Sequence, residues 1–257
     1  MRKSKQPALY TVFIGPAGSG KTSLAYALGK WLEESGYAAD YVNFDPGCEN
    51  LPYQPNFDIR TMFTIGEIMK EERIGPNAAI IRAVQLMKEK SDKIIGEISR
   101  LEQEHILVDI PGQMEVFLFH EAGPELLRRL EKLGRVIAIF ILDATFASNP
   151  SGLAVAELLA NAVELHLGIP TITALNKSDV KVREDLDRLI SEPGYLEAVI
   201  KSESEGLIKD LIFSILKAIS SVKGSSRIVK VSAKTGEGLD ELYSIIHEVF
   251  CACGDLS

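Results

Sequence analysis

Residues Gly15–Thr22 carry the clearest chemical motif of the sequence, G-x-x-x-x-G-K-T. The motif follows an apolar run typical of a buried strand and precedes a helical pattern, the order in which phosphate-binding loops occur. Glycines allow backbone N–H groups to converge on phosphate oxygens, and the helix dipole adds positive potential. We expect Lys21 to bridge the β- and γ-phosphates of a nucleoside triphosphate and the Thr22 hydroxyl to bind Mg²⁺. The predicted nucleotide-binding residues of this loop are Gly15, Pro16, Ala17, Gly18, Ser19, Gly20, Lys21, Thr22 and Ser23.

Two further segments indicate which base is bound. They are N-K-S-D at 176–179, after the fifth predicted strand, and S-A-K at 232–234, after the last. Together they resemble the guanine-recognition elements of GTPases. A carboxylate such as Asp179 accepts hydrogen bonds from guanine N1–H and the 2-amino group, and loss of such contacts discriminates by up to about 10⁴-fold. Adenine cannot make this contact, so GTP is favoured over ATP. The residues expected to contact the base or hold its loops are Asn176, Lys177, Asp179, Ser232, Ala233 (through its N–H to guanine O6) and Lys234.

A third motif, Asp109-Ile-Pro-Gly-Gln113, ends the third predicted strand and resembles the D-x-x-G-Q element of GTPases. In that element the aspartate binds Mg²⁺ through water and the glycine N–H contacts the γ-phosphate. Gln113 is expected to orient the attacking water, and Glu115 lies close enough in sequence to help. Asp45, in an Asp-Pro-Gly turn after the second strand, either contacts metal-bound water or the nucleophile, or only closes the turn. With Lys21 and Mg²⁺ these groups suffice for a hydrolase, because phosphoryl transfer depends mainly on positioning and charge stabilisation.

The elements that position these motifs follow from alternating β-branched runs and helical patterns. This alternation predicts an α/β fold, a three-layer P-loop NTPase fold with a mostly parallel sheet and helices on both faces. Each motif directly follows a strand, at the edge where open α/β sheets bind ligands. The predicted strands are Leu9–Ile14, Asp40–Phe44, Ile106–Ile110, Val136–Leu142, Thr171–Leu175 and Ile228–Val231, and the predicted helices Thr22–Ser35, Gly152–Leu167, Leu207–Ser221 and Leu239–Phe250.

Composition limits the remaining possibilities. The chain has 257 residues, 46% hydrophobic and 25% charged, which excludes a disordered chain and fits one GTPase domain over 1–257. A net charge of −8 argues against direct nucleic-acid binding, because phosphates demand a basic face. The longest apolar run, 136–142, is too short to span a bilayer, and three cysteines make no disulfide framework. We therefore expect a cytoplasmic chain without a membrane partner, ending in a flexible tail at 251–257 that contains Cys251 and Cys253.

One region, 46–104, is mostly helical in pattern and longer than a simple crossover between parallel strands requires. It is interpreted as a helical insertion, serving either as a decoration or as a lid or partner surface. Within it stands Gly75-Pro76-Asn77, which on local pattern alone is a loop whose Asn77 caps a helix.

With the other four motifs in order, this triplet closely resembles the GPN-loop GTPases, a branch of P-loop GTPases related to signal-recognition-particle GTPases and partitioning ATPases. The resemblance extends from Gly15 to Lys234. It implies a homodimer whose nucleotide sites face the interface, with Asn77 of one subunit reaching the phosphates bound by the other. Asp45, Asp109, Gln113 and Glu115 would then arrange Mg²⁺ and water without an arginine finger. Pro16 stands where the partitioning ATPases carry an extra lysine, which argues against an ATPase of that kind.

Three functions remain open at this point. The leading one is an Mg²⁺-dependent GTP hydrolase that acts as a homodimeric switch, with Lys21, Asp45, Asn77, Asp109, Gln113 and Glu115 as catalytic residues. The second is a nucleotide-gated binding module with slow hydrolysis, whose output is an interaction with a protein client. The third is a P-loop kinase with the insertion as its lid, against which the two guanine motifs argue.

Overall fold

The computed structural model describes residues 7–181, 183–203, 206–222 and 228–254. These residues divide into two compact units, Met1–Ile139 and Phe140–Ser257. The strands are β1 Ala8–Ile14, β2 Ala39–Asn43, β3 Phe57–Asp58, β4 His105–Asp109, β5 Gly134–Asp143, β6 Thr171–Asn176 and β7 Ile228–Lys230. The α-helices are α1 Lys21–Glu34, α2 Ile65–Glu72, α3 Pro76–Glu89, α4 Ser91–Ile98, α5 Met114–Phe119, α6 Ala122–Glu131, α7 Pro150–Leu167, α8 Leu186–Ser191, α9 Pro193–Glu203, α10 Gly206–Val222 and α11 Leu239–Gly254. Two 3-10 helices cover Ile59–Thr61 and Ala144–Ser148.

In the first unit the strands lie in the order β3-β2-β4-β1-β5, and β5 continues into the second unit. The pairings of β1 with β4 and of β2 with β3 and β4 are parallel. Nearly every residue of β1, β2 and β4 is buried, as expected for parallel strands covered on both faces. Asp109 is opposite Phe13 on one side and Asn43 on the other, so the ends of three strands meet at one edge.

The strand β3 is a correction to the sequence prediction, which placed six strands and left 46–104 mostly helical. Phe57 and Asp58 pair with Val42 and Asn43 at the edge of β2. A strand of two residues is too short to show the alternation by which strands are recognised in a sequence. The rest of this region contains a 3-10 helix and the helices α2, α3 and α4.

The second unit contains the end of β5 followed by β6 and β7, which lie side by side in that order. The β6–β7 pairing is parallel and places Leu175 opposite Lys230, so the segments after both strands emerge at the same edge. Helix α11 continues through Gly254, four residues into the segment that was predicted to be a flexible tail, and 255–257 lie outside the described residues.

The predicted α/β architecture with a parallel sheet is confirmed, and the ends of the predicted strands fall within a residue or two of those observed. The helices α5, α6, α8 and α9 were not predicted. None of the helices in the described part of the chain is long and apolar enough to cross a membrane.

Candidate functional site

The phosphate loop connects β1 to α1 in the first unit. Gly18 and Gly20 have φ angles of 78° and 94°, a region that only glycine enters without strain. Gly20 is the N-cap of α1 and no side chain caps this helix end. The N–H groups of the first helical turn are therefore oriented toward the loop, the arrangement that binds phosphate oxygens. The motif has the strand–loop–helix context that the sequence predicted.

Lys21 is 6% exposed, and backbone carbonyl oxygens surround its ammonium group. Nζ donates to the oxygens of Gly15 at 2.8 Å, Pro16 at 3.2 Å and Gly112 at 3.3 Å. Burial lowers the pKa of Lys21, while Asp109, Asp45 and Glu115 raise it. The contact with Gly112 joins two motifs that lie 91 residues apart in the sequence.

Asp45 also contacts Gly112. Its Oδ1 accepts a hydrogen bond from Gly47 N at 2.8 Å, which closes the Asp-Pro-Gly turn, and its Oδ2 accepts from Gly112 N at 3.1 Å. Asp45 therefore does more than close a turn, because one oxygen holds the glycine N–H predicted to contact a γ-phosphate. Gly112 therefore accepts a hydrogen bond from Lys21 through its carbonyl oxygen and donates one to Asp45 through its N–H.

Asp109 is the most deeply buried carboxylate of this cluster, at 1% exposure. Burial raises its pKa to about 6, against the opposing effects of hydrogen bonding from Thr22 and Tyr53 and the charge of Lys21. Oδ2 accepts from the Tyr53 hydroxyl at 3.1 Å. Oδ1 is also buried and has no hydrogen bond of good geometry within the described residues, although Thr22 is near enough to lower the pKa.

Gln113 and Glu115 lie at the beginning of α5, directly after this cluster. Gln113 is the N-cap residue of α5 and Glu115 is in its first turn. Both side chains are exposed, and Glu115 is close enough to Lys21 to raise its pKa. A cavity of about 290 Å³ lies beside Gln113, Gly112 and Asp45 and is also lined by apolar residues of α3. The α3 residues that line it are Ile80, Ala83, Val84 and Met87.

Asn77 is the second residue of α3 and is exposed. The N-cap is Gly75, Pro76 is the first helical residue, and no side chain caps the helix. The interpretation of Asn77 as a helix cap is therefore wrong. Proline favours the first helical position because it lacks an N–H and has a suitable φ, so the triplet itself fixes where the helix begins.

The two predicted base-recognition segments come together in the second unit. Asn176 is 1% exposed and its Oδ1 accepts from Ala233 N at 3.1 Å. The Ser232 hydroxyl donates to Asp179 Oδ1 at 2.7 Å, and Lys234 Nζ lies 3.7 Å from Oδ2. Hydrogen bonding from Ser232 lowers the pKa of Asp179, which keeps this carboxylate an acceptor at neutral pH. The segments are therefore joined as one cluster, although 53 residues separate Asp179 from Ser232.

Two residues of these clusters were not predicted. Tyr53 contacts Asp109 in the first unit, and in the second unit Asp143 Oδ2 accepts from Lys177 Nζ at 2.8 Å. Lys177 has a φ of 63°, unusual for a residue with a side chain, and the Asp143 contact helps to hold it there. Asp143 could have been found from the sequence, because it directly follows the longest apolar run and therefore lies at the end of a predicted strand. Tyr53 has no such signal, because no spacing rule relates it to Asp109.

The arrangement in the first unit, a phosphate loop after β1 beside a carboxylate that ends the parallel neighbour β4, defines the class of P-loop NTPases. Comparison with known proteins agrees. Residues 13–252 match a family model described as "Conserved hypothetical ATP binding protein". A GPN-loop GTPase of Pyrococcus abyssi is 37% identical over 256 residues, covering 97% of this chain and 100% of that protein. The chain belongs to the GPN-loop GTPases, and it is a P-loop GTPase.

Structural comparison gives the same result. The crystal structure of a GTPase from Pyrococcus abyssi in its apo form superimposes with a TM-score of 0.86 at 36% identity, covering 95% of this chain and 98% of that one. The GPN-loop GTPase 1 of Dictyostelium discoideum is 28% identical over 255 residues, which cover 94% of this chain but 61% of that longer protein. The family description mentions ATP, whereas the named relatives are GTPases.

Proposed function

We propose that the chain is an Mg²⁺-dependent GTP hydrolase that works as a homodimeric switch, with Asn77 of each subunit reaching the phosphates bound by the other. The observation that carries this proposal is the pair of contacts that Gly112 makes. Lys21, which responds to phosphate charge, binds the Gly112 carbonyl oxygen, and Asp45, which does so too, binds the Gly112 N–H. A γ-phosphate that takes the Gly112 N–H must displace the Asp45 carboxylate, so the third phosphate is coupled to the position of this loop.

The residues present fit an Mg²⁺ ion. Asp109 Oδ1 is a buried carboxylate oxygen without a hydrogen bond of good geometry, and the Thr22 hydroxyl lies nearby. Among the described residues no group of three or more His, Cys, Asp or Glu side chains could hold a metal. Mg²⁺ does not need such a cage, because it keeps several waters and is completed by phosphate oxygens. Thr22 would bind the ion directly and Asp109 through water, and the ion would neutralise phosphate charge.

The remaining steps depend on the side chains of this chain. The ammonium group of Lys21 stabilises charge on the β- and γ-phosphates, and the backbone N–H groups of Gly15–Thr22 fix their positions. Gln113 and Glu115, two residues further along, orient the attacking water, and Asp45 accepts a hydrogen bond from this water once Gly112 has released the carboxylate. Water then displaces GDP from the γ-phosphorus and yields phosphate. The exposed amide of Asn77 supplies the group that the partner's site lacks.

The test of this mechanism is GTP turnover in a mixture of Lys21→Ala and Asn77→Ala proteins, each also assayed alone, after subunit exchange has been confirmed. In a mixed dimer one site keeps its own Lys21 and receives Asn77 from its neighbour. We expect both variants to be inactive alone and the mixture to recover activity. Asn50→Ala, which removes another exposed asparagine of the same region, is the control and should turn over GTP normally.

Two outcomes would contradict the shared site. Full activity of Asn77→Ala alone would show that catalysis does not need this amide. An inactive Asn77→Ala protein that exchanges subunits without rescue would place Asn77 in its own subunit's site. In either case the mechanism must be sought within one subunit.

The cavity beside Gly112 favours a second function, a nucleotide-gated binding module with slow hydrolysis and a protein client. Its lining combines Gly112 and Asp45 with residues of α3, so a movement of the Gly112 loop would change what α3 packs against. Interaction surfaces change between two states when a ligand makes different contacts in each. Hydrogen exchange over Phe63–Leu101 should differ between the GTP- and GDP-bound forms, and identical exchange would exclude the switch. The single GTPase domain over 1–257, with 46–104 as its insertion, belongs to the same proposal.

A further inference from the structure

Tyr53 is a residue of the inserted region that touches the carboxylate of Asp109. Its ring is buried at 9% exposure, and its hydroxyl donates to Asp109 Oδ2 at 3.1 Å. The two residues are 56 positions apart in the sequence. This bond uses one oxygen of the carboxylate and leaves Oδ1 for another ligand. A hydrogen bond to one oxygen also fixes the rotation of the carboxyl group about its Cβ–Cγ bond.

The loop that carries Tyr53 is attached firmly to β2. Asn56 Oδ1 accepts from Tyr41 N at 2.9 Å, and Asn56 N donates to Tyr41 O at 2.8 Å, as a further strand residue would. The rings of Tyr41 and Tyr53 stack with centroids 4.4 Å apart and planes 12° apart. Tyr41 thus holds the loop through its backbone and its ring, and the stack leaves the Tyr53 hydroxyl a single direction, toward Asp109.

We propose that Tyr53 is a positioning residue for magnesium: its hydroxyl holds the Asp109 carboxylate so that Oδ1 faces the ion's water, and it joins the inserted region to the metal site. The inference rests on the Mg²⁺ dependence proposed above. Partners of this kind, which orient a metal-binding group without touching the metal, commonly change metal affinity 10–100-fold when removed. The loop that carries Tyr53 is also continuous with β3 and the start of the insertion. A movement of this part of the insertion would therefore shift the Tyr53 hydroxyl that is bonded to Asp109.

The test uses binding rather than turnover. The release of a fluorescent GDP analogue is followed as a function of free Mg²⁺ for wild type, Tyr53→Phe and Tyr41→Phe, and the affinity is also measured in EDTA. Tyr53→Phe keeps the ring and the stack but removes the hydroxyl. Tyr41→Phe is the matched control, because it removes the other hydroxyl of the same stack, which packs against Gly29 of α1 and not against Asp109. We expect only Tyr53→Phe to raise the half-saturating Mg²⁺ concentration, by about tenfold, with unchanged affinity in EDTA.

Several results would overturn the inference. Tyr53→Phe with wild-type Mg²⁺ dependence would show that the hydroxyl does not position Asp109. An equal rise in Tyr41→Phe, or an equal loss of affinity in EDTA, would show a general loosening of the loop. If wild type itself did not depend on Mg²⁺, the proposed function would fail first and this inference with it. Should Tyr53→Phe not fold, Asn56→Ala loosens the loop and leaves the hydroxyl, and an unchanged Mg²⁺ requirement there would also contradict the inference.

Discussion

Asp109 provides the most quantitative prediction, because the structure buries a carboxylate that the proposed Mg²⁺ site needs in its ionised form. Its pKa is raised from 3.8 to about 6, and burial is the largest cause. Since the folded state then binds the proton more tightly than the unfolded state, protonation stabilises the fold. That stabilisation is complete below about pH 3.8 and is lost as the pH rises through about 6. Asp109→Asn removes the titrating group, and its amide oxygen can still accept from Tyr53.

The magnitude follows from the two pKa values. Linkage places the free-energy cost of holding this carboxylate ionised in the folded state at about 2 kcal/mol near pH 5 and about 3 kcal/mol near pH 7.5. Asp109→Asn carries no such pH-dependent cost, although its new NH₂ group adds a constant one where Oδ1 was buried. The free energy of unfolding of the variant relative to wild type should therefore rise by about 1 kcal/mol between these two pH values.

The assay is urea unfolding of both proteins, freed of nucleotide and kept in EDTA, at both pH values and one protein concentration. Glu71→Gln is the control, because it removes one negative charge from an exposed position of α2 and accounts for the change in net charge. Parallel pH profiles for wild type and Asp109→Asn would refute the reasoning, since they would mean that Asp109 is not held in an unfavourable environment for its charge. The Asp109→Asn variant should at the same time lose Mg²⁺-dependent turnover, because it lacks the carboxylate proposed to bind the ion's water.

Three further predictions concern other parts of the chain. Asp179→Asn should weaken GTP binding by roughly 10²–10⁴-fold and ITP binding much less, because inosine lacks the 2-amino donor; equal losses in a competition assay would contradict guanine recognition by this carboxylate. Gly96→Ala should stabilise the protein by about 0.5–1 kcal/mol, because the new Cβ on α4 would point into open space and alanine favours the helix. Gly123→Ala should instead destabilise the protein, because its new Cβ would lie 2.1 Å from the Phe117 carbonyl oxygen. Thr64→Ala removes the capping box of α2 and should cost about 1 kcal/mol in urea unfolding, unless this helix end contributes nothing to stability.

The sequence determined best those parts of the site that are built from contiguous residues. The phosphate loop is contiguous, and its glycine φ angles and the helix that follows depend on residues within the loop itself. The same holds for the beginning of α3, where Gly75 and Pro76 set the helix start. This local geometry could therefore be predicted from the sequence. The capping role assigned to Asn77 was wrong, because a proline at the first helical position places the N-cap at Gly75.

The meeting of the strand-end motifs was also predictable, although each pair is distant in the sequence. Parallel strands bring their carboxyl ends to one edge, so Lys21, Asp45 and Asp109 were expected to lie near one another. The pairing of β1 and β2 with β4 supplies the reason, since Asp109 is opposite residues of both strands. In the second unit the β6–β7 pairing does the same for Asn176 and Ala233.

Only the tertiary structure decided which groups satisfy the polar atoms at these edges. The Tyr53–Asp109 hydrogen bond depends on the two-residue strand β3 and on the hydrogen bond between Asn56 and Tyr41. Neither feature produces a periodic pattern in the sequence. The contacts of Gly112 with Lys21 and Asp45 join three segments that are distant in the sequence, and the cavity beside them depends on how α3 packs. Burial, which raises the pKa of Asp109, is likewise a sum over many neighbours. The sequence determined the chemical groups and the strand ends that carry them, whereas their partners and electrostatic environment arise from packing between distant segments.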